Sequence, residues 1–150
     1  MSRVEGSTVI GVSPEVIQSA LEDVEQAPAW TPSLQEVWDI KGKGAGCSYK
    51  WKFKMGPASF EGSTEITQSS PRRFVMHTQG AIPSSWIWTM TAVEGGTELR
   101  VTIDYTIPGS GWGGVGSALS AAADKLVIEK QNKKELTEAL AALKARLEGR

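Results

Sequence analysis

The sequence predicts an α+β fold: a curved antiparallel sheet of about seven strands around one long C-terminal helix, with two short helices after the first strand. Three observations predict it. Short segments that alternate apolar and polar residues follow one another from Leu34 to Ile107, and such a period of two marks half-buried strands. The connections between them are too short for crossovers, so consecutive strands pair antiparallel. After Pro108, one segment from about Ser117 to Leu147 repeats apolar residues at helical spacing, and it alone is long enough to cover the sheet.

Each element has its own signature. Val4 to Val12, rich in Thr and Val, reads as the first strand. In SPEVIQSALEDVE, Ser13 stands where an N-cap is needed and Pro14 at the first helical position, where its missing N–H costs nothing. Val16, Ile17, Ala20, Leu21 and Val24 then share one buried helix face. Pro28 and Pro32, on either side of Trp30, break that helix, so a short helical pair ends near Trp30. Leu34 to Ile40 is the second strand, stopped by KGKGAG. The third is the clearest: Cys47, Tyr49, Trp51, Phe53 and Met55 alternate with Ser48, Lys50, Lys52 and Lys54. Ser59 to Gln68 is a fourth strand, weakened by Gly62; Arg72–Gln79, Ser84–Val93 and Thr97–Ile107 complete the sheet.

In the terminal helix Leu119, Ala122, Ala123, Leu126 and Val127 open an apolar stripe that Leu136, Leu140, Leu143 and Leu147 continue. The polar run from Glu129 to Glu135 belongs on its exposed side or near an end of the sheet. A helix of about 30 residues spans about 45 Å, more than a strand, so the sheet curls around it and a pocket is left between the two. There is no internal repeat, low-complexity tract or linker, which gives one domain over residues 1–150.

Composition narrows the function classes. The formal charge of −1, from 16 basic and 17 acidic side chains, lacks the basic excess of a nucleic-acid binder. No apolar run approaches the ~18 residues that cross a bilayer, and the N-terminus has no apolar stretch resembling a signal peptide. A single cysteine, Cys47, excludes an intramolecular disulfide and a Cys-rich zinc site, and fits a reducing cytoplasm. No cofactor or metal is indicated. The unusual feature is six tryptophans against two tyrosines and three phenylalanines, since Trp is favoured where an apolar face meets something polar or a ligand.

The order of elements, with SPEVIQSALEDVEQAPAW after the first strand, SSPRRF entering the fifth, WIWTMTAVEGGTEL across the sixth and seventh, and the leucine-bearing terminal helix, resembles the START/Bet v 1-like superfamily, within it the polyketide cyclase/dehydrase and lipid-transport branch. The resemblance covers nearly the whole chain. It implies a helix-grip fold with an apolar cavity for a small hydrophobic molecule. The superfamily also holds aromatase/cyclases, ubiquinone-binding proteins and Hsp90-ATPase activators, so fold alone does not decide function.

The inward stripes are either plain core or pocket lining. The excess of adaptable Trp and Met favours lining, which makes Tyr49, Trp51, Phe53, Trp86, Trp88 and Met90 candidate ligand contacts, together with Tyr105, Trp112 and Leu126. Tyr49 and Tyr105 carry hydroxyls that need partners when buried and so suit the orienting of a ligand. The loop GSGWGGVG lacks a phosphate-binding Gly-Lys-Ser/Thr; Trp112 in it is placed to close over the pocket mouth. His77, with Arg73 and Val75, falls on the face opposite Phe74 and Met76, so it reads as solvated surface. Cys47 reads as a small apolar filler and the lysine row as a solvated face. Glu36 shares parity with Leu34, Trp38 and Ile40, which an edge position or a bulge would explain. The leading function is binding or transport of a small hydrophobic ligand: a lipid, isoprenoid or polyketide-like molecule. The alternatives are a polyketide cyclase or dehydratase and a protein-interaction domain. Oligomeric state is left open.

Overall fold

The computed structural model describes residues 2–55, 58–80, 83–106 and 125–149, and of residues 55, 58 and 125–128 the backbone alone. Strands β1 (Ser2–Ile10), β2 (Leu34–Lys41), β3 (Ser48–Met55), β4 (Ala58–Ser69), β5 (Arg73–Gly80), β6 (Ser84–Val93) and β7 (Gly96–Tyr105) form one antiparallel sheet in the order β1-β7-β6-β5-β4-β3-β2. Helices α1 (Pro14–Glu22) and α2 (Ala27–Trp30), separated by a 3-10 turn at Val24–Gln26, connect β1 to β2. Those two strands are opposite edges of the sheet, about 29 Å apart if it were flat at ~4.8 Å per strand. The connecting segment and α3 (Lys125–Leu147) therefore occupy the concave side.

The core is where the inward stripes meet α1 and α3. Leu99, Val101 and Ile103 of β7 stand opposite Met90, Trp88 and Trp86 of β6, and Phe74 pairs across to Trp88. From α1 come Ile17 and Leu21, and from α3 Leu136, Ala139, Leu140 and Leu143, all buried in the same cluster. At about 1.5–3 kcal/mol for each large apolar side chain taken from water, this cluster dominates the stability of the fold. Helix α3 lies along β1 because Gly6 allows it: a Cβ on Gly6 would stand 3.1 Å from both Leu136 Cδ2 and Leu140 Cδ1.

Polar side chains of α3, and Glu148 just beyond its end, secure the same contact. Lys133 Nζ donates to the Glu5 carbonyl, Lys144 Nζ to the Val9 carbonyl at 2.7 Å, and the Gly11 N–H to Glu148 Oε2 at 2.7 Å. Since β1 is an edge strand, these bonds occupy backbone groups that would otherwise be open to a foreign strand. The polar run from Glu129 to Glu135 is thus not simply exposed. Lys133 ties down β1, and Glu135, at the end of the run, is buried.

Two sequence expectations, at Ser13 and Pro28, are corrected, and the edge position and bulge read at Glu36 are found. Ser13 occupies the N-cap position of α1 with extended backbone, yet its hydroxyl makes no capping bond. Pro28 does not end α1, which stops at Glu22; it sits in the first turn of α2, where the lost N–H is free. The parity of β2 is broken twice, by register shifts between Leu34 and Glu36 and between Trp38 and Lys41, with Asp39 at φ 53°. Val37 and Ile40 therefore pack on the core, while Glu36 is exposed on this edge strand. Among the described residues no helix is long and apolar enough to cross a membrane.

Candidate functional site

Between the concave face, α2 and α3 lies a cavity of about 160 Å³. Its walls are aromatic: Trp30 from α2, Trp51 and Phe53 from β3, Phe60 from β4, and Trp86 and Trp88 from β6. These rings hold one another in place. Trp86 and Trp88 stack with centroids 6.0 Å apart and planes 21° apart, and Trp30 meets Trp88 edge-on at 6.0 Å. Trp51 and Phe53 meet edge-on at 6.4 Å.

A row of hydroxyls crosses this apolar surface. Tyr49 stands opposite Thr64, Thr64 opposite Thr78, Thr78 opposite Ser84, and Ser84 opposite Tyr105, so five successive strands contribute a hydroxyl at one register position. The row is partly satisfied within itself. Trp51 Nε1–H donates to Thr64 Oγ1 at 2.9 Å, Trp86 Nε1–H to Ser84 Oγ at 3.0 Å, and the Thr78 and Ser84 hydroxyls share a hydrogen bond. Burial pushes the Tyr49 hydroxyl up to about 12, a hydrogen bond with Thr64 opposing the shift. Two donors in buried positions, Tyr105 OH and Trp88 Nε1, have no partner among the described residues. Unsatisfied buried groups cost about 1–3 kcal/mol each.

The α3 side differs. Glu135, 7% exposed, lines the cavity with Asn132. Its Oε2 accepts the Ser33 N–H at 2.8 Å and its Oε1 the Ser33 hydroxyl at 2.6 Å, a link from α3 to the start of β2. No cationic side chain is among the described lining residues.

The structure brings Tyr49, Trp51, Phe53, Trp86, Trp88 and Tyr105 together on this wall. Met90 does not belong to it; 4% exposed, it packs in the core against Leu99. Trp112 and the Leu126 side chain lie outside the described residues. Sequence reasoning missed Trp30, Thr64, Thr78, Ser84, Asn132 and Glu135. A signal existed for the hydroxyls: Thr64, Thr78 and Ser84 are polar residues at the apolar parity of three consecutive strands.

Elsewhere the chemistry is quiet. Cys47 is buried, and burial pushes its thiol up, away from the reactive thiolate. His77 is exposed on the outer face, its Nδ1 2.9 Å from Ser85 Oγ. The lysine row is not a bare positive strip: Lys52 pairs across to Glu36 and Glu61, and Lys50 Nζ lies 3.6 Å from Asp39. Among the described residues no group of three or more His, Cys, Asp or Glu side chains is arranged for a metal ion.

A curved antiparallel sheet closed by a terminal helix over an aromatic cavity defines a helix-grip domain. The chain belongs to the polyketide cyclase / dehydrase and lipid transport family, whose model matches residues 1–148. Solved structures with the same fold include the Zhui aromatase/cyclase from Streptomyces sp. R1128 (17% identity, 98% of this chain and 93% of that one covered, TM-score 0.82). A protein from Thermus thermophilus, TTHA0849, follows at 15% identity, 97% of both chains and TM-score 0.79. A START superfamily protein from Mycobacterium smegmatis matches at 17% identity, 98% and 97% coverage and TM-score 0.77. Among curated proteins, none matches this chain.

Proposed function

We propose that the protein binds a compact hydrophobic molecule in the cavity between the sheet, α2 and α3. The observation that carries this reading is the cavity itself: about 160 Å³, walled by Trp and Phe rings, and crossed by polar groups that are only partly paired. An apolar cavity of ~150 Å³ accommodates benzene, so a ring system of one or two rings, polyketide-like or isoprenoid in character, fits this space. Family membership supports a hydrophobic ligand in general terms. What favours binding over turnover is the lining. Its described residues include one carboxylate, Glu135, already engaged by Ser33, and no histidine to act as its acid–base partner.

Native mass spectrometry of the protein as expressed should show a co-purifying small molecule, or one-to-one uptake of added naphthalene with quenching of tryptophan emission. Absence of both a retained mass and saturable quenching would overturn the reading, because four of the six tryptophans, Trp30, Trp51, Trp86 and Trp88, line the site.

A further inference from the structure

Glu135 is the one charged side chain among the described residues that line the cavity, and none of the ion pairs among them involves it. A carboxylate has about four acceptor positions, and Ser33 fills two of them through its N–H and its hydroxyl. A buried carboxylate is costly unless hydrogen-bonded. The lining it shares includes Asn132, Leu136 and Ala139 on its own helix and the aromatic wall of the sheet.

We propose that Glu135 anchors the ligand: the cavity selects a compact ring compound bearing an O–H or N–H donor and rejects carboxylates, fatty acids among them. The inference rests on the cavity being the binding site. A donor on the ring gives Glu135 a charge-assisted bond in surroundings where water does not compete, and such bonds are the strong ones. A protonated amine would add charge compensation and the faces of the tryptophans. An anionic head group gains neither. It would share an apolar cavity with the Glu135 carboxylate and find no cationic side chain among the described lining residues, so the two anions repel with little to screen them.

A structural latch between Glu135 and Ser33 would explain the two hydrogen bonds equally well, so the test separates latch from anchor. The full chain is titrated calorimetrically with naphthalene, 2-naphthol, 2-naphthylmethylamine and 2-naphthoate. The hydroxyl or the amine compound should bind at least about tenfold tighter than naphthalene, the value of one charge-assisted hydrogen bond; which of the two binds tighter identifies the natural donor. Naphthoate should bind more weakly than naphthalene. Glu135→Gln should abolish most of the donor preference, whereas Ser33→Ala, which frees Glu135 Oε1, should keep or enlarge it. Equal behaviour of the two variants would reduce Glu135 to a latch and overturn the proposal. So would naphthoate binding as tightly as naphthol, a result that needs no variant to fold. If naphthalene binds without any donor preference, the anchor fails and the cavity reading stands; if no ring compound binds, both fail.

Discussion

Trp51 lies against Gly62, its direct partner on the neighbouring strand: a Cβ built on Gly62 would stand 2.5 Å from Trp51 Cζ2 and 2.3 Å from the Gln79 carbonyl oxygen. The glycine that weakens β4 as a sequence pattern is the space in which the indole rests. From there Trp51 Nε1 reaches Thr64 Oγ1, two residues along the same strand.

Gly62→Ala should therefore destabilise the protein and disturb the cavity together. One side of the clash is backbone, which cannot swing away, so overpacking of about 1–3 kcal/mol is expected. Urea denaturation reads the loss, and a shift in tryptophan emission reads the displaced indole. An unchanged midpoint and spectrum would mean that Trp51 does not use this space.

Tyr105→Phe tests the open end of the hydroxyl row. Tyr105 OH is buried without a partner among the described residues, so its removal takes away a desolvation cost rather than a bond. The ligand-free variant should be as stable as the parent or more so, by up to about 1 kcal/mol. A loss of more than about 1 kcal/mol without ligand would reveal a partner for this hydroxyl.

At the other end of the row, Tyr49 predicts an alkaline transition. Its folded-state value is pushed up to about 12, above the ~10 of an unfolded chain. The contribution of the neutral hydroxyl is complete below pH 10 and is lost as pH rises toward 12, because the unfolded chain ionises first. The loss amounts to roughly 2 kcal/mol by pH 12. Tyr49→Phe lacks this dependence, so the stability difference between parent and variant should change by that amount between pH 9 and 12. A difference that stays constant would show the hydroxyl is not held neutral.

How much of this was legible in the sequence depended on the range of the interaction. Strand alternation is local, so the inward placement of Tyr49, Trp51, Phe53, Trp86, Trp88 and Tyr105 could be read directly from parity. Simple parity failed in β2, where two register shifts and the positive φ of Asp39 accompany the inward packing of Val37 beside Ile40; Glu36 at the apolar parity hinted at an edge or a bulge but not at where the shifts fall. Alternation also could not separate Met90, packed in the core, from Trp86 and Trp88 on the cavity wall, because all three share one face. The hydroxyl row needed the register of five strands at once. Glu135 needed Ser33, 102 residues away in sequence, to explain why a glutamate from a polar run is buried.

The terminal helix gives the last prediction. Leu143 is fully buried and stands one turn beyond Leu140 and two beyond Leu136, on the stripe that α3 turns toward the core. Leu143→Ala should cost about 2–5 kcal/mol, the range for emptying a packed leucine site. Lys134, exposed on the same helix, should accept alanine within about 0.5 kcal/mol. The contrast matters more than either value. A helix merely appended to a self-sufficient sheet would tolerate both changes alike, since neither would open a cavity in the sheet's own core. The close approach at Gly6 argues against that, because Leu136 and Leu140 fill the place where its side chain would be. If Leu143→Ala unfolds at the same urea concentration as Lys134→Ala, α3 does not close the core, and the cavity it borders loses its helix wall.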